Sequence, residues 1–296
     1  MADANVVFNG GSRTSRDGDG TTMRGLPQRH GQHILTGRRL GELIRRRPVG
    51  ATANQWNTAL RTRFDFAVCA AGDAVPVFAV EFVAAGVGGH LRTRRMTDAV
   101  CAAAGLPVLR VETEAPLAAR GRQIVEYLID ARAFAAATTA DTADDADGPE
   151  PATGFREIVG RLPDGRQGYV NDLGILTRLA VMEAYVAGQV ADPIVRGLHL
   201  SWADGTAEGW AWAELGARRC LFERVRLSSA GFACGLPLDQ FAEDLAVAAI
   251  GDRLRALETD RAAVRPRAEV ARLFDELRER GDEIRDGARL AHIRFD

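Results

Sequence analysis

The chain has 296 residues, of which 46% are hydrophobic and 26% charged, with a net charge of −2. This composition is typical of a globular protein long enough for two domains. No run of about 18 apolar residues occurs and no signal-peptide pattern opens the chain, so we expect a cytoplasmic protein with no membrane contact.

All 38 basic residues are arginine, which excludes a lysine as catalytic ammonium or phosphate ligand anywhere in the chain. Any site must therefore use arginine, histidine, carboxylates or a metal ion. The four cysteines are widely spaced and form no CxxC pair, so buried thiols are expected in place of a disulfide framework or a zinc site.

Charge is unevenly distributed along the chain. Residues 31–135 carry 14 arginines and nine acids, whereas residues 137–154 carry five acids and no basic residue. The second stretch is rich in Ala, Thr and Pro, which predicts an acidic disordered linker over residues 136–154. This linker would separate an α/β domain (31–135) from a smaller α+β domain (155–296). The segment before them, residues 1–30, is predicted to be a flexible tail.

The first predicted domain begins with HILTGRRLGELI, a short strand running into a helical turn, followed by the helical segment ANQWNTALRTR. FDFAVC and VPVFAVEF alternate between apolar and other side chains, which indicates two strands joined by a turn. A Gly-rich loop, a helix over residues 94–104, the strand LPVLRVE and an amphipathic helix complete the domain. This order predicts a mixed β-sheet sandwiched by helices.

The second predicted domain begins with a helix over residues 171–189. LHLSWADGTAEGWAWAEL carries a turn between alternating apolar runs and predicts a hairpin, and two further helices follow. Trp202, Trp210 and Trp212 cluster in that hairpin. They are expected in the core, and a stacking or partner-binding surface is the alternative.

Two acids on the adjacent strands of the first domain are the candidate site. Asp65 lies between two phenylalanines, and Glu81 lies near the end of an otherwise apolar strand. If the strands pair across their turn, both carboxylates could reach one divalent ion, since Mg²⁺ prefers oxygen ligands. Alternatively, each acid pairs with a nearby arginine, because a carboxylate in such a strand must find a partner.

Four segments in the order RRLGELIRRR, QWNTALRTRFDFAVC, VPVFAVEF and DAVCAAAGLPVLRVE resemble the DUF2726 family. This family is a branch of the PD-(D/E)XK restriction-endonuclease-like superfamily, and the resemblance covers residues 38–112. It implies a restriction-endonuclease-like core that acts on DNA or RNA with Mg²⁺ or Mn²⁺. By the same resemblance, Asp65, Glu81 and the backbone carbonyl of Phe82 are the metal ligands.

The chain departs from that family at two positions. Val83 stands where the family commonly has an acid, and Thr97 stands where a basic residue is expected. Loss of one preorganised electrostatic group typically lowers a rate by about 10²–10³. His90 and Arg94 are the nearest candidates to replace the missing catalytic function, since histidine can accept a proton and arginine can hold a phosphate.

Five further arginines are candidate nucleic-acid contacts, although solvated surface positions explain them equally well: Arg45, Arg46, Arg47, Arg92 and Arg95. Two functions therefore remain open. The first is a metal-dependent nuclease-like enzyme of weak or degenerate activity. The second is a catalytically inactive protein of nuclease fold that binds nucleic acid or, through its second domain, a protein partner.

Overall fold

A computed structural model describes residues 28–71, 76–86, 91–114, 117–144, 154–257 and 264–285. The strands are β1 (Gln28–Arg29), β2 (Gln32–Arg39), β3 (Arg63–Ala70), β4 (Pro76–Ala84), β5 (Val108–Thr113), β6 (Val159–Arg161), β7 (Gln167–Tyr169), β8 (Arg196–Ser201), β9 (Ala207–Gly216), β10 (Arg219–Ala230) and β11 (Val264–Pro266). The helices are α1 (Leu40–Leu43), α2 (Ala53–Ala59), α3 (Leu91–Ala103), α4 (Gly121–Asp144), α5 (Ile175–Val186), α6 (Leu238–Arg255) and α7 (Arg267–Glu279).

Nine of these strands form one mixed sheet. Its order is β1-β2-β3-β4-β5-β10-β9-β8, with β11 paired to β10. The β4–β5 pair is parallel, and the other pairs of this sheet are antiparallel. The short strands β6 and β7 form a separate ribbon. The predicted order of strand, strand, helix, strand, helix over β3 to α4 is confirmed.

The two halves of the chain share this sheet, which differs from the predicted division into two domains. Strand β10 pairs with β5 over six residues, from Val225 opposite Thr113 to Ala230 opposite Val108. Strand β10 is not among the predicted elements, although residues 224–228 alternate between polar and apolar side chains. The predicted boundary therefore separates segments of sequence that contribute neighbouring strands.

The predicted linker and tail also differ from the structure where the structure describes them. Helix α4 continues to Asp144, so residues 136–144 are helical and not disordered. Gln28 and Arg29 form β1 against β2, so the end of the predicted tail is part of the sheet. The remaining parts of both predictions, residues 1–27 and 145–153, lie outside the described residues.

Helices cover both faces of the sheet, which confirms the predicted sandwich. On one face, Leu128 of α4 and Leu245 of α6 are fully buried in the largest core cluster, together with Leu109 and Leu227 of the sheet. On the other face, α1, α2 and α3 pack over β3, β4 and β5, and α7 packs over β9 and β10. The second face therefore carries two separate apolar clusters.

The sequence explains how closely β9 and α6 approach. A Cβ built on Gly209 of β9 would lie 2.0 Å from the backbone nitrogen of Glu243, so only glycine permits this contact. On the opposite side of the same sheet, Trp202, Trp210 and Trp212 are buried against α7. The prediction that these tryptophans form core is confirmed.

Asp244 is a carboxylate buried beside the largest core cluster. Asp244 of α6 is 2% exposed and accepts a hydrogen bond from Arg156 Nη2 at 2.7 Å. Burial raises its pKa from 3.8 to about 7, and the charge of Arg156 opposes this rise only in part. Asp172 and Glu243 add to the rise, whereas Arg178 opposes it.

We expect Asp244 to make the protein less stable as the pH rises. Below about pH 4 the carboxyl is neutral in both states, whereas between about pH 4 and pH 7 it ionises in the unfolded chain only. The free energy of unfolding should fall across this window by up to about 4 kcal/mol, the equivalent of the pKa difference. Urea denaturation from pH 4 to pH 8 measures it. Asp244→Asn should flatten the slope, whereas the exposed Asp282→Asn should not; equal slopes in both variants would contradict the expectation.

Candidate functional site

The parallel pairing of β4 and β5 determines the partner of Glu81. In this pair Glu81 is the register partner of Arg110, so both side chains lie on the sheet face covered by α3. Arg110 Nε donates to Glu81 Oε2 at 2.8 Å, and Arg110 Nη2 lies 2.5 Å from Asp98 Oδ1 on α3. The Arg110 side chain is 3% exposed, against 27% for Glu81 and 34% for Asp98.

Arg110 remains charged in this position. Burial lowers the pKa of the guanidinium, but the carboxylates of Asp98 and Glu81 raise it by more, so that the pKa is raised overall. Buried charges are tolerated when they are paired and hydrogen-bonded, as here. Glu81 is therefore the ion-pair partner of an arginine, the alternative that the sequence left open.

Asp65 has a different partner. Phe66 pairs with Val80 across β3 and β4, and continuing this register brings Asp65 opposite Glu81. The exposed Asp65 carboxylate accepts a hydrogen bond from the backbone N–H of Phe82 at 2.7 Å. The ring of Phe82 packs edge-on against Phe66, with centroids 6.1 Å apart. Phe82 thus contacts Asp65 through its N–H, not its carbonyl.

A cavity of about 590 Å³ lies beside Glu81, between the sheet and the helices α2 and α3. Val83 lines it at the position where the resembling family has an acid. Thr97 lines it too, and its hydroxyl hydrogen-bonds the Thr62 hydroxyl at 2.9 Å and donates to the Thr93 carbonyl at 3.0 Å. Thr97 therefore ties α3 to the turn before β3, a structural role for the position where a basic residue was expected.

Arg94 lines this cavity and also a second one of about 340 Å³ over β5 and β10. Its Nη2 donates to the hydroxyl of Ser228 on β10 at 2.5 Å. Burial lowers the pKa of Arg94 and the charge of Arg110 lowers it further, while Asp98, Glu81 and Glu112 oppose these effects. Arg94 is thus a partly desolvated cation close to the charge of Arg110.

The predicted nucleic-acid residues lie on the surface. Arg45, Arg46 and Arg47 follow α1, and Arg92 and Arg95 lie on α3; all five are exposed. None of them forms an ion pair with another residue in the described ranges. His90, the predicted proton acceptor, lies outside the described residues.

The acids fit a resident divalent cation poorly as they are arranged. An ion coordinated by Glu81 would lie roughly 5 Å from the Arg110 charge, and at an effective dielectric of about 20 their repulsion is about 7 kcal/mol. Asp98 is held by the same guanidinium, and Asp65 by a backbone N–H. Within the described part of the chain, no three His, Cys, Asp or Glu side chains are grouped to hold a metal.

Three residues of the site are absent from the sequence predictions: Arg110, Asp98 and Ser228. The signal for Arg110 was present, because LPVLRVE places an arginine inside an otherwise apolar strand. Its partners depend on the parallel register of β4 and β5 and on the position of α3. Ser228 lies on β10, a strand that was not predicted.

Comparison of the chain with family models, curated proteins and solved structures found no match. None of the helices in the described ranges is both long enough and apolar enough to cross a bilayer.

Replacement of Arg110 should destabilise the protein strongly. Arg110→Met removes the shared partner of Glu81 and Asp98 and leaves both carboxylates unpaired. The free energy of unfolding should fall by about 2–4 kcal/mol, a moderate loss for a broken buried ion pair because both carboxylates are partly solvated. Urea denaturation measures this loss. Arg95→Met, on the exposed side of α3, should change stability by less than about 0.5 kcal/mol. An equally small effect at Arg110 would contradict a shared ion pair.

Proposed function

We propose that this protein binds nucleic acid without cleaving it, on a nuclease-like α/β core whose acidic site is occupied by Arg110. The ion pair of Arg110 with Glu81 and Asp98 is the observation that carries the proposal. A guanidinium cannot lower the pKa of a water molecule as a metal does, and it cannot accept a proton. With this cation in place, Glu81 stabilises the fold and takes no part in phosphodiester hydrolysis.

The charge of the helical layer supports nucleic acid as the partner. Helices α1, α2 and α3 pack on the same face of the sheet. Residues 38–63 carry seven arginines and one acid, and residues 91–103 carry three arginines and one acid. The arginines of this layer that are exposed and have no ion pair in the described structure are Arg39, Arg45, Arg46, Arg47, Arg61, Arg63, Arg92 and Arg95.

Such a surface provides backbone contacts and not base readout. Each arginine that neutralises a phosphate releases a counterion, so that affinity falls with increasing salt. The rest of the chain compensates this layer, since the whole protein has a net charge of −2. The positive layer would therefore orient the protein on the nucleic acid, with its acidic regions facing away from the phosphates.

The salt dependence of binding tests this function. Fluorescence anisotropy with labelled single- and double-stranded oligonucleotides at 50–300 mM salt gives the slope of log K against log salt. For the duplex, the double variant Arg92→Gln/Arg95→Gln should reduce this slope by roughly 1–2, about 0.9 for each phosphate that the variant no longer neutralises.

The matched control is Arg122→Gln/Arg161→Gln, which also removes two exposed arginines but lies on α4 and β6, away from this layer. It should leave the slope close to that of the unmodified protein. Equal reductions in both double variants would indicate a general charge effect, and no binding of either oligonucleotide at 50 mM salt would refute the function.

Metal-dependent hydrolysis of DNA or RNA with Mg²⁺ or Mn²⁺ is the second candidate. The register of β3 and β4 favours it, because it places Asp65 next to Glu81 as the family resemblance requires. In that case Arg110 would have to release Glu81 when the ion binds.

Thermal melting with metal separates the two candidates. If Arg110 occupies the site, 10 mM Mg²⁺ or 1 mM Mn²⁺ should not change the melting temperature. A resident ion at 100 times its Kd would add about 2.7 kcal/mol, equivalent to several degrees. A shift of that size, abolished in both Asp65→Ala and Glu81→Ala, would favour the enzyme and contradict the binding function.

A further inference from the structure

We propose that the 590 Å³ cavity under α3 binds a phosphate monoester of nucleotide size, with Arg94 as its main contact. The inference deepens the proposed function and rests on it, because a nucleic-acid end or a free nucleotide carries this group. The cavity adjoins the exposed arginine surface, with which it shares Arg61 and Arg63, and the half-buried Arg94 lies at its wall.

Arg94 is a half-buried arginine with no carboxylate ion pair in the described structure. Its guanidinium donates to the neutral hydroxyl of Ser228, and no carboxylate forms an ion pair with it in the described structure. Asp98 and Glu81, the nearest acids, are already held by Arg110. A desolvated guanidinium in this situation gains most from an anion that enters the cavity.

The cavity has the size and lining of a small-molecule site. Its volume of about 590 Å³ lies within the range of roughly 300–1,000 Å³ that is usual for such sites. Arg61 and Arg63 also line the cavity, and Val83 and Leu91 contribute an apolar wall. A ligand with an anionic head and a flat apolar body, such as a nucleotide, matches both parts of this lining.

Three of the four arginines that line the cavity, Arg61, Arg63 and Arg94, have no carboxylate partner in the described structure, which favours a ligand with several acceptor oxygens. The lining holds four arginines and two glutamates, Glu81 and Glu112. With the adjacent Asp98, the formal charge around the cavity is +1. Glu112 repels an anion, so the ligand must interact with several guanidinium groups at once. A phosphate monoester carries about −1.5 to −2 charge at pH 7 and three acceptor oxygens, whereas an internal phosphodiester carries one charge.

Calorimetric titration with AMP and with adenosine tests the site directly. AMP should bind at least tenfold more tightly than adenosine, and Arg94→Gln should weaken AMP binding at least tenfold. Arg94→Lys should recover part of the affinity, because the charge is kept while the two-pronged geometry is removed. Arg122→Gln, on the opposite side of the sheet, should bind AMP like the unmodified protein.

A second variant tests the site independently, in case Arg94→Gln disturbs the fold. Val83→Phe fills the cavity without changing any charge, and it should weaken AMP binding while the circular dichroism spectrum stays unchanged. If AMP and adenosine bind alike, or if neither Arg94→Gln nor Val83→Phe weakens AMP binding, the site is refuted.

Oligonucleotides separate the two sources of the phosphate and the two proposals. A 5′-phosphorylated 12-mer that binds more tightly than its 5′-hydroxyl counterpart, in an Arg94-dependent way, identifies strand ends as the ligand. AMP binding without this difference identifies free nucleotides. If oligonucleotides bind in a salt-dependent way, but AMP does not bind and neither the 5′-phosphate nor Arg94→Gln changes oligonucleotide affinity, the cavity site alone is refuted. If AMP binds and oligonucleotides do not, only the proposed function is refuted.

Discussion

The buried guanidinium of Arg110 connects three elements that are distant in sequence. It lies on β5, the strand where the parallel β4–β5 pair meets the antiparallel β5–β10 pair, and its charge is balanced by Glu81 of β4 and Asp98 of α3. An uncompensated charge at this depth would cost several kcal/mol, so the three side chains fix the position of α3 over the sheet. With α3 in that position, Arg94 reaches Ser228 on β10, and the cavity lies between α3 and the sheet.

In this arrangement, Asp65 and Glu81 have other roles than the metal coordination expected from the sequence. Glu81 neutralises an internal cation, and Asp65 accepts a backbone hydrogen bond where β3 and β4 end their pairing. The chain has no lysine, so arginine alone provides positive charge, and arginine suits ion pairing and phosphate contacts better than proton transfer. Recognition of phosphate therefore agrees better with the chemistry of this site than cleavage does.

The sequence predicted what depends on local pattern and missed what depends on distant pairing. The alternation in FDFAVC and VPVFAVEF predicted β3 and β4, and the apolar environment of the three tryptophans was predicted too. Strand β10 was missed because Glu223, Arg224 and Arg226 interrupt its apolar residues, and their partners lie on α6, β9 and the turn before β9. The composition of residues 136–144 indicated disorder, yet they continue α4, a helix whose earlier turns are anchored in the core.

The β5–β10 pairing has a consequence for how the chain can be divided. Because each half contributes a strand to the middle of the sheet, neither half alone would cover the backbone groups of β5 or of β10, and each would present an open strand edge to other chains. A nick between α4 and β6 would leave these two edges complementary to each other. Two such fragments would each carry one strand of the β5–β10 pair, so their association would depend on strand complementation.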